Sequence, residues 1–169
     1  MIALDIETAL DDRGFYTREL TVASTAEVTS DRLKQYSPAT IYDLVDQLPF
    51  QDLIIGFNID TFDLPVLSQY ASRPLAETCR TLDLYHDLAQ LTGQTDIKFD
   101  DLARGTLGKV LPQHGGNLAN LGQTRKLFQH SANGVLELNA IYRFGAVNRY
   151  VTWIAPSGEY HETPVNWNL

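Results

Sequence analysis

Cysteine is nearly missing. Cys79 stands alone among 169 residues, so no disulfide can close within the chain and no cysteine cluster can bind zinc. No apolar run nears the roughly 20 residues of a membrane span, and the first residues lack the charged and apolar regions of a secretion signal. The expectation is a cytoplasmic protein with no membrane partner. Positive charge is also scarce: 13 Lys and Arg face 21 Asp and Glu, for a net charge of −8. That excludes a general nucleic-acid coat, because phosphate binding draws on Lys and Arg. Handling a strand end through metal ions and a few local cations stays open. There is no internal repeat and no low-complexity linker, and a chain of this length that is 44% hydrophobic is expected to form one domain, 1–169, with a sizeable core.

What is present begins at residue 1. Met1-Ile2-Ala3-Leu4 leads into Asp5, passes one apolar residue and reaches Glu7. Residues two apart on a strand point to the same face, so two carboxylates would stand side by side. Like charges that close are costly unless a cation lies between them. A hard divalent ion, magnesium or manganese, answers that cost. The plainer alternative is an exposed strand end with two solvated acids.

The rest of the chain alternates strand and helix signals. Asp11-Asp12-Arg13-Gly14 is a turn, and 20–26 reads as a strand returning antiparallel to the first. Residues 33–36 suggest a short edge strand. Ile41, Leu44, Val45 and Leu48 have helical spacing, with Pro49 as the stop. Residues 52–57 form the most apolar run, expected as an interior strand. A polar turn follows, then a helix near Phe62 with Pro65 in its first turn. Asp63 falls in that turn, either complementing the helix dipole or facing the first strand as a third carboxylate. Thr81-Leu82-Asp83-Leu84 is a short strand or the start of a helix reaching Gly93. Phe99, Leu102, Ala103 and Leu107 make a helical stripe that ends at Gly108. Asp83, Asp100 and Asp101 read as helix-start acids, His86 and His114 as isolated, and 113–117 as a loop. Lys98 and Lys109 are the cations nearest the acids in this layout. A helix of about thirty residues is expected from Leu118. The end is a hairpin, 150–154 and 159–163 around Pro156-Ser157-Gly158. Trp153, Tyr160 and Trp167 serve there either as packing or as a stacking surface for bases. The pattern is α/β: a mixed sheet flanked by helices, with a C-terminal β-hairpin.

Leu4-Asp5-Ile6-Glu7-Thr8, then Ile55-Gly56-Phe57-Asn58 with Phe62-Asp63 and Val66-Leu67, resembles the first two motifs of the DEDD superfamily of 3′–5′ exonucleases. Thr81-Leu82-Asp83-Leu84, Phe99-Asp100-Asp101-Leu102-Ala103, Thr106-Leu107-Gly108-Lys109 and the terminal Pro164-Val165 with Trp167 resemble a bacterial branch of predicted exonucleases. The resemblance implies a ribonuclease H-like fold and metal-dependent hydrolysis at the 3′ end of single-stranded DNA or RNA. It implies up to two Mg2+ or Mn2+ ions. Asp5 would bridge both, Glu7 would hold the ion on the nucleophile side, and Asp63 would assist the other through water. Thr8, Asn58 and Phe62 would touch substrate.

The third motif departs from that family. Alignment on Ile141-Tyr142-Arg143-Phe144-Gly145 places His130 at the family's tyrosine position and Gly134 where the fourth metal-binding aspartate belongs. Glu137, three residues on, could replace that acid. Asn133-Gly134 favours a turn and could kink the helix. Two function classes therefore stand: a metal-dependent exonuclease, impaired or not, and a catalytically inactive relative that binds nucleic acid or a protein partner.

Overall fold

A computed structural model describes residues 1–109 and 122–168. The expected loop at 113–117, His114 and the start of the long helix at Leu118 lie outside the described residues.

Five strands form one sheet, β1 (Ile2–Leu10), β2 (Tyr16–Glu27), β3 (Leu33–Tyr36), β4 (Ile54–Gly56) and β5 (Thr81–Asp83), in the order β3-β2-β1-β4-β5. β1 pairs antiparallel with β2, and β2 with β3. β1 and β4 run parallel, as do β4 and β5. The sheet is therefore mixed, with β1 at its centre. β6 (Tyr150–Ile154) and β7 (Tyr160–Pro164) make a separate antiparallel hairpin.

Alternation along β1 divides the core in two. Ile2, Leu4 and Ile6 pack with helices α1 (Ile41–Val45) and α2 (Asp63–Leu67) on one face. Ala3 joins the opposite core, built with α3 (Leu84–Thr92), α4 (Phe99–Leu107), α5 (Thr124–Asn148) and the hairpin. Asp5 and Glu7 have the parity of Ala3, so they lie under α5.

Three expectations change. α1 ends at Val45 instead of reaching Leu48, which belongs to a single 3-10 turn with Pro49. A proline ring clashes with the carbonyl four residues earlier, here that of Val45. β2 starts at Tyr16, earlier than Leu20, so the hairpin extends past the acid pair. α5 runs unbroken through Asn133 and Gly134, because packing along its whole length outweighs the roughly 1 kcal/mol glycine penalty.

The C-terminal aromatics are mostly packing. Trp153 donates to Thr163 Oγ1 at 3.0 Å. Trp167 stacks on Tyr142 and donates to Asp87 Oδ2 at 2.7 Å. Tyr160 is exposed. Among the described residues, no helix is long and apolar enough to cross a membrane.

Candidate active site

α5 crosses β1 with a matched stride. Four helical residues advance about 6 Å and two strand residues about 6.6 Å. His130 therefore meets Glu7, Nε2 to Oε1 at 3.3 Å, and Gly134 meets Asp5. A Cβ at Gly134 would lie 3.2 Å from Asp5 Oδ2, so any other residue would force the carboxylate or the helix to shift by a few tenths of an ångström. Glycine here lets the helix sit close as well as withholding an acid. Buried polar contacts hold that approach. Ser131 Oγ lies 2.6 Å from Ser24 Oγ, next to Asp5 across the ladder. Gln35 Nε2 donates to Ser24 Oγ at 3.0 Å and to Phe128 O at 2.7 Å.

β4 stops pairing with β1 after Ala3 and Ile55. The chain then turns at Gly56, where a Cβ would overlap Ile59 at 2.4 Å. Asn58 follows with φ of 61°, its N–H donating to Asp83 Oδ1 at 2.8 Å and its side chain accepting from the Thr61 hydroxyl. Asp83 also accepts from Tyr85 and His86 N–H at the start of α3, the helix-start role expected of it. Asp100 and Asp101 sit in the first turn of α4. Where β4 has departed, the Asp63 carboxylate accepts the Ile6 N–H.

A cleft of about 430 Å³ opens between these elements, lined by Asp5, Glu7, Thr8, Asn58, Phe62, His130 and Gly134 among others. Six of the seven proposed catalytic and substrate residues thus share one wall system. Asp63 lies behind it, buried, within electrostatic reach of Asp5. Glu137 is not on the wall. Three residues turn a helix by about 300°, which carries Glu137 away from Asp5 toward Lys109 and Asp100, the latter on the far side of the same cleft, with Oε2 buried and unpaired.

The acids are costly as they stand. Burial pushes Asp5 up to about 7. Burial, with Asp5 beside it, pushes Glu7 up to about 8. Asp63 is raised well above the usual carboxylate range by burial first and Asp5 second, opposed by the Ile6 N–H. No hydrogen bond to the Asp5 carboxylate is found among the described residues. Thr8 Oγ1, on the cleft wall, is buried without a partner.

Could these residues hold a divalent ion? Among the described residues no three His, Cys, Asp or Glu side chains converge closely enough to hold one. Magnesium, however, needs only one or two carboxylates, with water and substrate phosphate completing the shell. Asp5, with no donor among the described residues, and Glu7 beside it fit that donor set. Gly134 offers nothing to a second ion.

Sequence reasoning passed over Tyr16, Phe57 and Phe99, which also line the cleft. Phe57 packs edge-on against Phe99 at 5.5 Å and Tyr85 at 5.6 Å. Tyr16 meets Phe62 edge-on at 6.2 Å. The signal for Tyr16 was an aromatic just past the Asp11–Gly14 turn, opposite Leu10 once the hairpin is closed. Lys98, singled out from sequence, lines the cleft too, whereas Lys109 is not among its lining residues.

No family model matches the chain, and no curated protein matches it. Among solved structures, it is similar to the family B DNA polymerase from the hyperthermophilic archaeon Pyrobaculum calidifontis, with a TM-score of 0.62 and 15% identity over 86% of this chain. The match covers 24% of the polymerase, so the chain spans about a quarter of its length. At that identity the likeness establishes fold: a ribonuclease H-like mixed sheet flanked by helices, followed here by a two-stranded hairpin.

Proposed function

We propose that this protein is a DEDD-type 3′–5′ exonuclease-like hydrolase acting on single-stranded DNA or RNA ends with one Mg2+ or Mn2+ ion at Asp5 and Glu7. The observation that carries this is the pair of neighbouring carboxylates, Glu7 buried and Asp5 half-buried with no donor among the described residues, opening onto an aromatic-lined cleft. When bound, such an ion activates water and polarises a phosphoryl oxygen. Asp5 and Glu7 would hold it, and Asp63 would fix β1 through the Ile6 N–H. His130 lies within reach of Glu7 and would exchange a proton with a water bound there. Lys98 would offset phosphate charge. The likeness to a DNA polymerase supports nucleic acid as the class of substrate.

A second reading, a catalytically inactive binding module, is favoured by Gly134, which leaves a second ion without a ligand. Degradation of an end-labelled single strand in Mg2+ or Mn2+ separates the two. Wild-type activity that falls at least a hundredfold in Asp5→Ala is the expected result. Activity seen only in Gly134→Asp would overturn it in favour of the binding module.

A further inference from the structure

The sheet ends at β3, and we propose that this edge takes up an extended acidic peptide of a partner protein as a further strand. Among the described residues only β2 pairs with β3. Glu27 N–H donates to Arg32 O at 3.1 Å, and the same register puts Thr25 opposite Lys34 and Ser24 opposite Gln35. Hydrogen-bonded and open pairs alternate along an antiparallel ladder. Lys34 therefore turns its N–H and C=O toward β2, while Leu33 and Gln35 turn theirs outward. No described residue meets those outward groups. Such an edge is a template for another strand.

What lies beside the edge selects that strand. A groove of about 260 Å³ runs between β3 and α1 with the 3-10 turn that follows it. Tyr36, Leu44 and Leu48 give the groove apolar surface, and Gln47 offers an amide. Side chains of a strand alternate between faces, so every second one of an added strand would enter the groove beside Lys34. Arg32 and Lys34 line it as well. Arg32 is held loosely, 3.5 Å from Glu27, and Glu27 also accepts from Ser30 Oγ at 2.7 Å. Among the described residues Lys34 makes no ion pair, though its charge reaches Glu27. Opposite charges attract across a ladder and like charges repel. Asp or Glu at alternate positions therefore suits this edge. A second copy does not, since antiparallel pairing of β3 with β3 brings Lys34 against Lys34. The chain's net charge of −8 makes the attraction local and salt-sensitive. The groove lies on the α1 face at the start of β1, whereas Asp5 and Glu7 face α5 farther along the strand. Binding there is separate from any hydrolysis at those acids.

The test uses a fluorescent octapeptide alternating Glu and Val, with a counterpart alternating Lys and Val, and follows amide hydrogen exchange of the full chain by NMR. The acidic peptide should bind, slow exchange at Leu33 and Gln35, and weaken as salt rises. Lys34→Glu, at an exposed position and checked for folding by thermal melting, should weaken it by roughly tenfold or more. N-methylating alternate nitrogens of the peptide should do the same for the set that faces β3 and little for the other set. Equal binding of the two peptides, unchanged binding by folded Lys34→Glu, or no binding by the folded wild type overturns the proposal. So does protection of the same two amides by self-association, read by sedimentation, or by a single-stranded oligonucleotide. Degradation of the labelled strand tests the hydrolase reading separately.

Discussion

The two halves of α5 share one helix and serve opposite ends. From Leu138 to Ala146 its inward face is apolar but for Asn139, which donates to Glu27 O and Asp31 Oδ1: Leu138, Ile141 and Tyr142 are almost fully buried, and Tyr142 is stacked on Trp167. From His130 to Gly134 the same stripe faces carboxylates. There the helix offers an imidazole, a serine and a glycine where large apolar groups would give more stability. The half packed into the core is the one that carries the fold. The other is held in place by it and is free to keep unfavourable chemistry in position.

That division predicts where substitutions hurt. Tyr142→Ala removes a fully buried ring and its hydrogen bond to the Asn168 carbonyl. A loss of about 3–5 kcal/mol is expected, read as a lower urea midpoint, with any affinity for Mn2+ in the surviving folded fraction unchanged. A change in metal affinity as large as the change in stability would erase the distinction between the halves.

The second prediction concerns pH. Asp5 and Glu7 are raised to about 7 and about 8 from ordinary values of 3.8 and 4.5. The folded, metal-free protein therefore binds protons that the unfolded chain has released. The stability linked to these groups is fully present below about pH 4 and is lost as pH rises through 7 to 8. Melting temperature without metal should fall between pH 6 and 9, by an amount on the order of a few kcal/mol in stability. Asp5→Asn should flatten that fall. Mg2+ or Mn2+ should restore the wild type at pH 8 and leave Asp5→Asn unmoved. A metal-free melting temperature that climbs across the same window contradicts this account.

The same contrast explains what the sequence made legible. The apolar half of α5 could be read directly, since Leu138, Ile141 and Tyr142 repeat at helical spacing and core packing enforces that period. β1 could be read because alternation assigns Asp5 and Glu7 to one face. Gly134 was visible as a missing acid but not as a point of close approach, because contact between α5 and β1 depends on how Ser131, Ser24 and Gln35 interlock across distant segments. Tyr16 was hidden for a related reason. Its place in the cleft follows from hairpin register and the shifts around Thr8, which no local pattern encodes. Glu137 looked close in sequence, yet helical rotation takes it to a different neighbour.

Gly134 supplies the third prediction, of intermediate size. Gly134→Ala gains about 1 kcal/mol of helix propensity and loses a similar amount to the 3.2 Å contact with Asp5, so the net change should stay within about 1 kcal/mol. Gly134→Asp adds a carboxylate to a site where burial already disfavours charge. Metal-free, at pH 8, it should be less stable than Gly134→Ala by roughly 1–2 kcal/mol. Calorimetric titration with Mn2+ should show tighter or additional binding in the Asp variant alone. If the Ala and Asp variants melt together at pH 8 without metal, the close approach of helix and strand is not where it is drawn.

His130→Gln gives the smallest stability change and the sharpest contrast with Tyr142. The imidazole lies half-buried against Glu7, and glutamine keeps a donor of similar reach. The expected cost is about 1 kcal/mol or less, in the range of partly exposed pairs. If His130 moves a proton beside Glu7, hydrolysis of the labelled strand should nevertheless fall about a hundredfold or more. At Tyr142 a large stability loss accompanies no specific change in metal binding; at His130 a small one should accompany a large loss of rate. Equal, modest effects on both would place His130 with the packing half of the helix and make its contact with Glu7 a structural one.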